Sequence, residues 1–90
     1  MTTLVVHNLA HAQDGPPVVW EGTLEDGRTV NFRYRFGTWS INTGDVSIFS
    51  KDRETVASGN SGRGEYDGIC TWADMIVWAK RAGITITVVD

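Results

Sequence analysis

The sequence predicts an α+β domain: a mainly antiparallel sheet of four to six strands with one C-terminal helix packed on one face. The clearest sign is the stretch from Val30 to Phe36, where every second residue is apolar or aromatic and Asn31, Arg33 and Arg35 stand between. Side chains alternate across a strand, so one face carries Val30, Phe32, Tyr34 and Phe36 and the other carries the asparagine and both arginines. Glycine-bearing turns flank this strand at Glu25-Asp26-Gly27 and Gly37-Thr38, so both neighbours can return antiparallel to it. Further on, Thr71 to Gly83 has the start, the amphipathic body and the stop of a helix.

A first short strand is expected over Leu4–Leu9, with Val5, His7 and Leu9 on one side, followed by a loop from Ala10 to Pro17. Gln13-Asp14-Gly15-Pro16-Pro17 is the turn chemistry behind that loop, and Pro17 marks where a strand can begin. Val18–Leu24 is the second strand, with Val18, Trp20 and Leu24 on one face. A two-residue Asp26-Gly27 turn would set Trp20 opposite Arg33 and put the two apolar faces on opposite sides. A three-residue loop with Gly27 left-handed and a bulge pairs Trp20 with Phe32 and Val18 with Tyr34, and burial selects it.

After the central strand, Gly37-Thr38 reads as a type II′ turn pairing Phe36 with Trp39 and Tyr34 with Ile41, which makes Trp39–Asn42 the third strand. Thr43-Gly44-Asp45 turns into a fourth strand over Val46–Ser50, and Thr55-Val56-Ala57 is a short edge strand. Ser58 to Gly64 reads as a mobile loop. Thr71 is a helix N-cap with Asp74 completing a capping box, and Cys70 and Met75 occupy the two positions of a hydrophobic staple. Trp72, Met75, Ile76 and Ala79 share a face, with Trp78 and Ala82 at its margin. Lys80 and Arg81 suit the negative end of the helix dipole, and Gly83 ends the helix. Ile84–Val89 is the last strand, with Ile84, Ile86 and Val88 on its buried side.

The totals suit one domain over residues 1–90, with enough aromatic surface to bury a core. Eleven acidic against eight basic side chains give a net charge of −3, which disfavours a dedicated nucleic-acid binder. Cys70 stands alone, so no internal disulfide is expected, and the start of the chain lacks a secretion signal. A cytoplasmic protein without a membrane span is the expectation.

No constellation carries catalytic chemistry. His7 and His11 have a helical metal-ligand spacing, but Leu4-Val5-Val6 argues for a strand, so no metal is expected. Cys70 precedes a helix N-terminus but has no adjacent base, and it reads as a small core residue. The glycine-rich 59–64 segment lacks the Gly-Lys-Ser/Thr ending of a phosphate loop. Glu65, Asp67 and Asp74 fall short of a calcium loop and suit the helix dipole instead. No cofactor is implied.

Two readings of the central strand compete. Aromatics on an open sheet could stack single-stranded bases. The tryptophan-rich helix needs a sheet to cover, however, which makes Phe32, Tyr34, Phe36 and Trp39 core. The opposite face then presents Asn31, Arg33, Arg35 and Glu21, with Arg63 and Tyr66 from the following loop and with Phe49 and Val19 nearby, as a protein-binding surface.

The run from Glu25 to Trp39, with Phe32-Arg33-Tyr34-Arg35-Phe36-Gly37 at its heart, and Tyr66-Asp67-Gly68 ahead of Thr71-Trp72-Ala73-Asp74-Met75 resemble small uncharacterised accessory proteins of actinobacterial phages. Those motifs are structural and transfer no catalytic residue. The resemblance implies a phage-encoded module that binds and modulates a host protein. A homodimer through a free sheet edge is compatible with that role, and single-stranded nucleic acid is the alternative partner.

Overall fold

The computed structural model describes residues 2–15, 17–44, 54–62, 64 and 69–89. They form β1 (Thr2–Asp14), β2 (Val18–Leu24), β3 (Thr29–Arg35), β4 (Thr38–Thr43), β5 (Glu54–Asn60), α1 (Trp72–Arg81) and β6 (Ile84–Val89). The strands make one curled sheet in the order β5-β4-β3-β2-β1-β6, antiparallel except for β1 beside β6. β5 and β6 are opposite edges, so the connection containing α1 carries the chain from one edge to the other. Its helix packs on the sheet face built by β2, β3 and β4.

The core lies between α1 and that face. Val18, Trp20, Leu24, Val30, Phe32, Tyr34, Trp39 and Ile41 are buried from the sheet side, and Met75, Trp78 and Ala79 from the helix. Aromatic contacts fix the docking: Trp72 lies 5.4 Å from Trp20 and 5.0 Å from Phe32 between ring centroids, and Trp78 stacks on Tyr34 at 4.9 Å. Trp78 is thus a central contact of the helix and not a marginal one, whereas Ala82 is exposed. The N-terminus has the expected capping box: Asp74 N–H donates to Thr71 Oγ1 (3.1 Å) and Thr71 N–H to Asp74 Oδ2 (3.0 Å). Gly83, at φ +86°, takes the left-handed position after the helix.

The β2–β3 hairpin has the register that burial selects, Trp20 opposite Phe32 and Val18 opposite Tyr34. Its three-residue loop closes between Leu24 and Arg28, with Gly27 at φ +89°.

The β3–β4 hairpin departs from expectation. Phe36 and Gly37 are the two central turn residues, both left-handed at φ +50° and +77°, so the turn is not Gly37-Thr38. Tyr34 pairs with Trp39 and Phe32 with Ile41, a slip of two residues from the expected register. Two positive φ values make a primed turn, whose twist matches that of the flanking strands. A slip of two keeps every side chain on its own face, so alternation could not exclude it. The consequence falls on Phe36, which leaves the core and is 51% exposed.

β1 runs through Asp14, so Ala10–Asp14 is strand and not loop. A bulge around Asn8, at φ +55°, separates the His7–Thr23 pair from the Ala10–Glu21 pair. Val6 is the fully buried residue of β1, with Leu4 and Leu9 packed against the core. Val5 and His7 share the side away from the core, as expected, but the bulge at Asn8 moves Leu9 to the core side. At the other edge, Ser58, Gly59 and Asn60 belong to β5 and not to a mobile loop. On β6, Ile84 is buried and Ile86 packs on the core, but Val88 is 39% exposed because no strand lies beyond β6. The expected strand over Val46–Ser50 lies outside the described residues.

Candidate functional site

The face turned away from α1 is built by alternation and register. Glu21 on β2 stands opposite Asn31 on β3, Val19 opposite Arg33, and β4 sets Ser40 against Arg33 and Thr38 against Arg35. Glu21, Asn31, Arg33 and Arg35 thus share one face, as the sequence implies.

That face is not evenly open. Asn31 is only 9% exposed, and its β4 neighbour Asn42 only 1%. Asn42 accepts a hydrogen bond from Thr55 Oγ1 (2.9 Å) and donates to Ser40 Oγ (3.2 Å), so this end is a closed polar packing. Exposure returns toward the hairpin tip. Glu21 and Arg33 are half-buried, and Arg35 is exposed. Arg33, Arg35, Thr38 and Ser40 line a recess of about 190 Å³. Two guanidiniums and two hydroxyls offer many donors, with the planar fork that matches a carboxylate or phosphate. Arg33 is engaged within the chain as well, and Arg35 reaches further out.

Phe36 extends this site. The Arg35 guanidinium lies over its ring, 4.6 Å from the centroid. The turn beneath is braced by the residue just after β5: Ser61 N–H donates to the Gly37 carbonyl (2.7 Å), and the Tyr34 and Ser61 hydroxyls are bonded at 2.9 Å. Sequence reasoning missed Phe36 because it ended an alternating run and so was counted as core. The available signal was the Phe-Gly step, since glycine is common at the second position of a primed turn. Arg63, Tyr66 and Phe49 lie outside the described residues. Gly62 N–H donates to Asn60 Oδ1 (2.7 Å) at the end of β5.

Comparison of the chain with protein-family models, curated proteins and solved structures finds no match.

Phe32, Tyr34 and Trp39 are buried beneath α1 and offer no open stacking platform. His7 pairs with Thr23 and His11 with Trp20, positions on opposite faces of β2, so the two imidazoles do not converge. His11 stacks on Trp20 at 5.2 Å, with Asp14 Oδ1 3.7 Å from its Nε2. Among the described residues no three metal-ligating side chains cluster. Cys70 is 7% exposed inside the core. Among the described residues no helix is long and apolar enough to cross a membrane.

Two other recesses are built differently. One, of about 250 Å³, lies between the end of β5 and the end of α1, walled by the edges of the buried Trp39 and Trp78. The other, of about 220 Å³, adjoins the β2–β3 loop, where Asp26 and Arg28 satisfy each other. Asp26 accepts from the Arg28 backbone N–H (3.0 Å) and from its Nε (2.7 Å). Those bonds, the backbone one first, hold the Asp26 carboxyl below the usual range.

Proposed function

We propose that this chain is a non-enzymatic protein-binding module, a phage-encoded modulator of a host protein, that engages its partner through the β3–β4 side of the open sheet face. The observation that supports it most is the recess in which Arg33 and Arg35 stand beside Thr38 and Ser40 on a face the helix does not cover. Arginine is enriched in interfaces, where its stem covers apolar surface and its head forms directed hydrogen bonds. The motifs of residues 25–39 and 66–75, with their likeness to phage accessory proteins, supply the host as the source of the partner.

The test is affinity capture from bacterial lysate, with and without nuclease, with the wild-type chain and with Arg33→Glu plus Arg35→Glu. One host protein held by the wild type and lost by the double variant, with circular dichroism unchanged, is the expected result. Equal capture by both would remove the arginine face from the assignment. Capture that disappears with nuclease would favour nucleic acid, and recovery of this chain alone would point to a homodimer.

A further inference from the structure

We propose that the β3–β4 hairpin is a preformed anchor for an acidic segment of the partner protein: Arg35, backed by Arg33, meets its carboxylates, and Phe36 packs against an apolar residue beside them. This rests on the protein-binding reading and adds the chemistry of the ligand and the residue that anchors it.

Phe36 carries the inference. A residue with a Cβ is disfavoured at φ +50°, and a bulky one more so. Primed turns prefer asparagine, aspartate or glycine at this position. Folding alone gives an aromatic ring there little advantage, because the ring is 51% exposed and lies outside the core. Its contact with the Arg35 guanidinium is a surface cation–π pair, a weak interaction in water. A locally unfavourable residue that the surrounding structure holds in place points to a role outside the fold. The Ser61 bond to Gly37 and the Tyr34–Ser61 hydroxyl pair do that holding. A ring displayed on a braced turn loses little freedom on binding.

Charge decides the partner's chemistry. The chain as a whole carries −3, yet the described residues that line this recess are two arginines and two hydroxyl side chains, with no carboxylate among them. A single-stranded nucleic acid would need bases stacked on the sheet aromatics, and Phe32, Tyr34 and Trp39 are buried. A short acidic segment with one apolar residue meets only the recess and the ring.

The test is a ¹⁵N–¹H titration of the full chain with a short capped peptide centred on Glu-Leu-Glu, and with its Lys-Leu-Lys counterpart. The acidic peptide is expected to give saturable, salt-sensitive shifts at the Arg35, Phe36, Gly37, Thr38 and Ser40 amides, and the basic one none. Phe36→Asn should weaken binding about tenfold, the loss typical of an anchor residue, while the melting temperature holds or rises. Phe36→Gly, also suited to the turn, should do the same. Undiminished binding by both variants, equal shifts with the basic peptide, or no hairpin shift at millimolar acidic peptide would overturn the inference. If the lysate partner is lost with the arginine changes but kept by Phe36→Asn, this inference fails and the protein-binding reading stands. If capture ignores the arginines, both fail.

Discussion

Gly22 is where the β1–β2 seam has least room. An ideal Cβ added there would run into Val6 Cγ1 and sit 3.0 Å from the His7 carbonyl oxygen. Val6 is fully buried, so its methyl has no open space to swing into. The His7 oxygen is backbone, beside the bulge that already bends β1. Overpacking of this kind costs about 1–3 kcal/mol. Restricting the unfolded chain returns about 0.4–1 kcal/mol. Gly22→Ala should therefore destabilise by about 1–2 kcal/mol, a fall in melting temperature of roughly 5–15 °C for a domain of this size. Val6→Ala alone removes two buried methyl groups and should cost about 2 kcal/mol with its cavity. If the two changes were independent, the double variant would lose about 3–4 kcal/mol; relief of the clash should hold it near 2 kcal/mol. Urea unfolding of all four proteins, with the m-value checked for constancy, measures the cycle. Gly22→Ala within about 0.5 kcal/mol of wild type, or a cycle additive within about 0.5 kcal/mol, would refute the reasoning.

Two further predictions concern the helix cap and the turn brace. Thr71→Ala removes the acceptor for the Asp74 N–H and should cost about 1 kcal/mol in urea unfolding. Tyr34→Phe removes the hydroxyl bonded to Ser61 Oγ and should cost about 0.5–1.5 kcal/mol. Because that bond braces the hairpin, the same variant should speed amide exchange at Ser61 while exchange within α1 stays unchanged.

Where the chain has one dominant constraint, the sequence reading matches the structure. Burial forces Trp20 and Phe32 to one face, and of the two-residue and three-residue loops that Asp26-Gly27 allows only the longer one does this, so that hairpin was legible to the residue. Thr71, Asp74 and Gly83 act locally, so the helix ends were legible too. The reading fails where two solutions satisfy the same pattern. Extension of β1 through Gln13 and Asp14 depends on pairing with Val19 and Val18, a long-range match that outweighs turn-forming composition. Inclusion of Ser58–Asn60 in β5 has a similar cause: Gly59 lies against the Trp39 indole, where a Cβ would come within 2.9 Å of Nε1.

The β3–β4 turn joins the misread element to the candidate site. Pairing Phe36 with Trp39 would have buried both rings, so hydrophobic burial alone favours the register that is not adopted. The adopted register seats Trp39 opposite Tyr34, and on its other side the indole faces Gly59, where the absent side chain leaves it space. The cost is an exposed Phe36 in a left-handed turn position. A replacement by asparagine would keep this register and relieve the turn, so packing around Trp39 explains why the turn sits where it does but not why it carries phenylalanine. Of the sequence-derived site, Arg33 and Arg35 remain where alternation put them, and Asn31 withdraws into the sheet. The candidate site is centred on the hairpin tip, where Phe36, which packing does not explain, stands beside the exposed Arg35.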